Sequence, residues 1–139
     1  MARRPFIAGN WKMNKGPVEA DELARALKEL KFHLIGTAGT ARSLNEAGIA
    51  CDAIYKVNEG RPNLVDYVKN NEVDLIINTP LGRESRFDER AIRMAALQYT
   101  IPCITTMAAA KAMVKGIQAL SEQDFQVRSL QEWHGAPPA

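Results

Sequence analysis

His33–Leu44, HLIGTAGTARSL, is the stretch on which the reading of this chain turns. A short apolar run, Leu34-Ile35, stops at Gly36. Two hydroxyl residues, Thr37 and Thr40, then flank Ala38-Gly39, and a helical pattern starts at Ala41. That order predicts a strand, a tight glycine-bearing turn and a helix start. The first N–H groups of a helix have no partner inside it and carry the positive end of its dipole, so they suit a phosphate group. Thr37 and Thr40 can add hydroxyl donors. The plainer reading is that Thr40 simply N-caps the helix.

The same alternation continues on both sides. Pro5–Gly9 is short, apolar and ended by glycine, as a strand would be. Asn10–Asn14 reads as a loop, and Pro17 suits the first position of a helix running from Val18 to Leu30 with apolar Val18, Leu23, Ala26, Leu27 and Leu30. Phe32–Gly36 is the second strand and Thr40–Ala47 the second helix, stopped by Gly48. Ile54–Val57 reads as a third strand, followed by a polar turn through Asn58–Pro62, a helix over Leu64, Val65 and Val68, and a stop at Asn70-Asn71. Val73–Asn78 carries a continuous Leu-Ile-Ile core that suits burial on both faces of a sheet. Asp88–Tyr99 is a helix, Ile101–Thr105 a fifth strand and Ala108–Leu120 a fifth, alanine-rich helix. In the tail, Phe125–Val127 alternates briefly, as an added edge strand would, and Gly135–Pro138 reads as loose.

Five strand–helix alternations with short links predict an α/β three-layer αβα sandwich, Rossmann-like or flavodoxin-like, on a five-stranded parallel sheet. The chain's 139 residues suit a single domain spanning 1–139. Hydrophobic content is 46% and charged content 24%, the balance of a soluble globular protein. Net charge is +2 with basic residues scattered among acidic ones, which gives no case for nucleic acid. No apolar run approaches the ~20 residues that span a bilayer, and Met1–Arg4 does not begin a secretory signal. Cys51 and Cys103 lack metal-like spacing and read as small core residues in a reducing, cytoplasmic compartment. No cofactor and no metal is implied.

In a sheet of this kind ligands sit beyond the carboxyl ends of the strands, where strand order reverses. Asn10 and Lys12 follow the first strand, Thr37, Gly39 and Thr40 the second, Lys56 ends the third, and Asn78-Thr79 close the fourth. A cation, a helix N-terminus, hydroxyls and an amide on one rim describe a phosphate or nucleotide site. Other candidates have plainer readings. Lys12 is a solvated loop lysine, Trp11 a packing residue, Trp133 a surface anchor of the tail, and His33 a packed strand histidine. Arg83, Arg86 and Arg90 could make an anion patch, but Glu84, Asp88 and Glu89 interleave with them as on a solvated face.

Two family resemblances appear. Phe6–Asn14, FIAGNWKMN, resembles the first strand and loop of triosephosphate isomerase, a likeness that extends through the first helix to about Leu30. From Phe32 to roughly His134 the chain resembles the C-terminal regulatory domain of the carbamoyl-phosphate synthetase large chain, of methylglyoxal-synthase-like fold. The matching segments are GTAGTARSLNEAGI, KVNEGRPNLVDYVKN, DLIINTPLGRESRFDERAIRMAALQYTIPCITT and VRSLQEWH. Together the two imply an engineered chimera with its seam at Lys31-Phe32, residues 31–134 being the regulatory-domain remainder and 135–139 a loose tail.

What the resemblances imply for chemistry is mostly an absence. Asn10 and Lys12 match isomerase active-site positions, the lysine being the phosphate contact, but the isomerase's later histidine and glutamate have no counterpart here. Methylglyoxal synthase needs an aspartate after a glycine in the loop following the third strand, where this chain has Glu59-Gly60-Arg61-Pro62. Arg61 cannot abstract a proton, and Glu59 and Asp66 are the nearest carboxylates in sequence. The synthetase resemblance implies a non-catalytic effector site at Thr37, Thr40, Lys56 and Asn78, with Thr79 adjacent, for a phosphate or nucleotide monophosphate. Pro80 stands where some relatives carry a hydroxyl. Lys12 is the substitute cation in the first loop. The rival reading is a small lyase or isomerase acting on dihydroxyacetone phosphate; homo-oligomerisation is a further expectation.

Overall fold

In the computed structural model, residues 6–10, 17–79, 86–123 and 126–135 are described. The elements run β1 (Phe6–Asn10), α1 (Pro17–Glu29), β2 (His33–Thr37), α2 (Ala38–Glu46), β3 (Asp52–Ile54), α3 (Leu64–Lys69), β4 (Leu75–Asn78), α4 (Arg86–Gln98), β5 (Cys103–Ile104), α5 (Met107–Glu122) and α6 (Leu130–Trp133). All pairings are parallel and the strand order is β3-β2-β1-β4-β5, a Rossmann half-sheet (3-2-1) continued beyond β1 by β4 and β5. The expected α/β sandwich is what forms.

Two apolar layers clamp the sheet. Leu23, Ala24 and Leu27 of α1, Ala41 and Leu44 of α2 and Ala110 and Val114 of α5 pack on one face. Leu64 and Val68 of α3 and Ile92, Ala95 and Ala96 of α4 pack on the other. β4 is buried at every position, which is why its sequence is a continuous apolar run ending in Asn78 rather than an alternation. β1 and β4 are locked at their start, where the Phe6 N–H donates to the Asp74 carboxylate at 2.8 Å and the Asp74 N–H to the Phe6 carbonyl at 2.9 Å.

Several boundaries differ from the sequence expectation. β3 starts two residues earlier than Ile54 because the Asn45 side chain brackets Cys51, donating to its carbonyl at 2.8 Å and accepting from its N–H at 3.1 Å. Asp52–Ile54 then pair with β2, and Tyr55 bonds instead to Pro62 across the following turn. Lys56 therefore lies two residues beyond the strand it was expected to end. β5 shrinks to Cys103–Ile104, and β1 extends to Asn10, which was expected to open a loop. Asn63 caps α3, accepting from Val65 and Asp66 while Asp66 takes the Asn63 N–H in return, so the loop after β3 does order the chain ahead of that helix. Residues 126–129 are irregular and one helical turn, α6, follows. The edge strand expected at Phe125–Val127 is not formed by Gln126 and Val127, and Phe125 lies outside the described residues. Trp133 is exposed, as a surface residue of the tail. Gly135 makes a positive-φ turn, while 136–139 lie outside the described residues.

His33 packs its ring on Phe6, with centroids 4.6 Å apart, and meets the Asp52 carboxylate at 2.7 Å, so it is the packed strand histidine that was expected. Cys51 is buried and Cys103 half-buried, both free. Burial, reinforced by the Asp52 carboxylate, pushes the Cys51 thiol from 9.0 up to about 11. The unfolded chain then gives up that proton at lower pH than the folded one. The thiol's contribution to stability is whole below pH 9.0 and lost as pH rises through about 11. Cys51→Ala is expected to flatten the fall in unfolding free energy across that alkaline window, measured by urea titration at successive pH values.

Candidate functional site

The carboxyl edge of the sheet carries the candidate site. β2 delivers Thr37 to the N-cap of α2, and its side chain makes no cap hydrogen bond to the helix. The helix begins at Ala38, so Thr40 is not the cap that the plainer sequence reading made it; it is buried in the first turn, its hydroxyl 3.4 Å from that of Thr37. Gly39 is exposed, and a Cβ there would meet nothing within 4 Å, so the space beside it is open among the described residues. Gly36 behind it is crowded. A Cβ would lie 3.1 Å from Thr40 Cγ2, 3.2 Å from the Gly9 carbonyl and 3.3 Å from Cys51 Sγ. This glycine lets α2 start tight against β1 and aims its N–H groups past the sheet edge.

Thr37 and Lys56 line one cleft with Gly9, Ile54, Tyr55, Val57, Leu64, Asp88 and Ile92. Its cavity volume is about 10 Å³, room for one water, so a larger group would sit on its mouth rather than inside. Lys56 reaches Glu59 at 3.0 Å, and both are roughly half-exposed. Such a pair is worth little in water and leaves the lysine able to exchange partners. Asn78 ends β4 in register with Asn10 of β1, where the strand order reverses, but it is fully buried; Thr79 is half-buried beside it. The backbone of Asn10 thus lies at the switch point. Lys12, Trp11, Pro80, Arg83 and Glu84 lie outside the described residues.

One residue of the cleft was missed. Asp88, in the first turn of α4, is only 9% exposed and its Oδ1 has no hydrogen-bond partner among the described residues. The sequence places it among Arg86, Glu89 and Arg90, where it reads as one charge of a mixed surface. The available signal was its place, just inside the helix that follows the fourth strand's exit. The other carboxylates near the cleft are engaged: Glu59 with Lys56, and Asp66 with the Asn63 cap and, at 3.7 Å, with Arg61.

A parallel sheet with helices on both faces, its strand order reversing between β1 and β4 and the α2 N-terminus one strand away, defines a doubly wound domain. The chain belongs to the MGS-like domain family, whose model matches residues 19–105. It is 48% identical over 112 residues to the carbamoyl phosphate synthase large chain of Rhodopirellula baltica, covering 81% of this chain and 10% of that one. It is also 48% identical over 113 residues to the carbamoyl phosphate synthase large chain, C-terminal section, of Methanopyrus kandleri, covering 81% and 21%. The chain thus spans about a tenth to a fifth of the length of these relatives. The crystal structure of methylglyoxal synthase from Elizabethkingia anophelis shares the fold at a TM-score of 0.58 and 17% identity, over 82% of this chain and 79% of that one.

The family match begins at Glu19 and so covers most of α1, which the isomerase resemblance claimed to about Leu30. The match runs without a break across the seam expected at Lys31-Phe32, so the part of α1 from Glu19 on belongs with the MGS-like domain and not with an isomerase unit reaching Leu30. FIAGNWKMN lies before the matched residues.

Proposed function

We propose that this chain is a non-catalytic effector domain that holds a phosphate group, free or in a nucleotide monophosphate, at the N-terminus of α2. The observation carrying this is the uncapped first turn of α2 beneath open space, with Lys56 on the same cleft as Thr37. Thr37 and Thr40 supply hydroxyls, Lys56 leaves Glu59 to meet the anion, and Thr79 is the contact offered from the end of β4, with Lys12 a further candidate cation on sequence alone. Asp88 would accept from a hydroxyl or N–H of the remainder of the ligand, because a carboxylate repels the phosphate itself. Support also comes from the family match to carbamoyl phosphate synthase large chains. The proposal includes an engineered graft at the start of the chain, supported by the resemblance of FIAGNWKMN to the first strand and loop of triosephosphate isomerase and limited by the family match to the residues before Glu19.

Titrating inorganic phosphate and uridine monophosphate while following amide chemical shifts tests the site. Gly39 and Thr40 are expected to move at millimolar ligand, and Lys56→Ala to weaken binding about tenfold, the loss of one charge-assisted contact. Unmoved Gly39 and Thr40 signals would overturn the reading. A lyase reading rests on the buried Asp88, a carboxylate placed where a base could act. The effector reading expects no methylglyoxal from dihydroxyacetone phosphate. Turnover abolished by Asp88→Asn would establish the lyase instead.

A further inference from the structure

The outward side of α4 carries an apolar stripe that no described element covers. Phe87 is 71% exposed, Met94 58% and Leu97 76%. Their spacing, seven then three, is that of successive a, a and d positions of a heptad, with Arg90 at the intervening d position. The opposite side of the same helix, Asp88, Ile92, Ala95 and Ala96, is buried on the sheet. So α4 has two apolar faces, and packing among the described residues accounts for one.

Charge decides what the second face fits. Arg90 and Arg93 are exposed beside the stripe. Pairing α4 with its own copy in parallel sets Arg90 against Arg90. An antiparallel pairing that joins Phe87 to Leu97 centres on Ile92 and brings Arg93 within two positions of its copy. Like charges opposed or this near suppress both. The three apolar side chains offer roughly 400 Å², about half of what one partner contributes to a stable free interface. A patch of that size holds where the partner is on the same polypeptide and its effective concentration is high. The carbamoyl phosphate synthase large chain of Rhodopirellula baltica carries the matching segment in 10% of its length.

We infer that Phe87, Met94 and Leu97 form a docking face for a neighbouring domain of a synthase-type large chain, one presenting an apolar surface rimmed by carboxylates to Arg90 and Arg93. The inference rests on family membership and not on the anion site, so either can fail alone.

The test is peroxide oxidation of Met94, read by mass spectrometry, in the free 139-residue chain and in a fusion that puts this chain in place of the matching segment of the Rhodopirellula baltica large chain. Met94 is expected to oxidise at least tenfold more slowly in the fusion, while Met113, on α5 in the other helical layer, keeps its rate. Arg90→Glu with Arg93→Glu is expected to restore fast oxidation of Met94. Should the fusion not fold, the same protection is read in trans, against submillimolar large chain lacking its matching segment. Equal Met94 rates in the folded fusion, or no protection in trans, overturn the inference. So does protection that appears in the free chain as its concentration rises, which would assign the face to a second copy, and so does protection indifferent to the charge reversal.

Discussion

Leu27→Ala is expected to lower the unfolding free energy by about 3 kcal/mol, the usual cost of removing a buried leucine whose cavity cannot collapse. Leu27 is fully buried, one helical turn after Leu23 and beside Ala24, in the cluster that joins α1 to the sheet, α2 and α5. α1 is also fastened at its rim. Arg25 donates to the Ala47 carbonyl at the end of α2 at 2.8 Å, and Glu19 meets Lys111 of α5 at 3.4 Å. These two contacts are exposed and contribute little by themselves, so the core leucines carry the attachment. Urea unfolding checks the value, and the slope m should stay unchanged if the helix remains part of one cooperative unit. A loss below about 1 kcal/mol would show that α1 packs loosely and that the first βα unit is held by its strand alone.

Gly36→Val is expected to cost a comparable amount, about 3 kcal/mol, and to disturb the anion rim as well. The space beside Gly36 is closed by the Gly9 carbonyl, which is backbone of the central strand, and by Thr40 and Cys51. A flexible side chain could move aside; a paired strand cannot. The added methyls must therefore push the start of α2 outward, lowering Tm by roughly 10 °C and shifting the amides of Gly39 and Thr40 even without ligand. Gly39→Ala, at an open position three residues on, is the matched control and should leave the fold intact. If Gly36→Val and Gly39→Ala melt alike, the close approach of α2 to β1 is not what positions the site.

Much of the site was legible because it rides on elements with local signals. The apolar run before Gly36 and the helical spacing from Ala41 place the strand-to-helix junction near Thr37–Thr40, though no turn forms there and β2 passes into α2 at Ala38. The depth of the helix start was not legible, since Thr37 and Thr40 are equally good caps in isolation and only the packing of α2 against β1 chooses between them. Lys56 was located by order along the chain but not by pairing. β3 stops early because Asn45 and Pro62 compete for the backbone on either side of it, contacts that no propensity scale contains. Asp88 was hidden for a similar reason. A carboxylate among arginines looks solvated until the helix is set down on the sheet with its first turn over the cleft.

By itself the sequence determined the class of this protein: five apolar runs alternating with amphipathic spacings, which follow from local periodicity acting within about a dozen residues. That no base falls where the lyase's aspartate would came from the family resemblance, and the turn expected between Gly36 and Ala41 is replaced by a strand that passes straight into α2 at Ala38. Tertiary structure alone decided the strand order, the burial of Asn78 and Asp88, and which face of α4 stays open to solvent. Those depend on contacts between residues tens of positions apart, where the energy of packing one surface on another outweighs any single residue's preference.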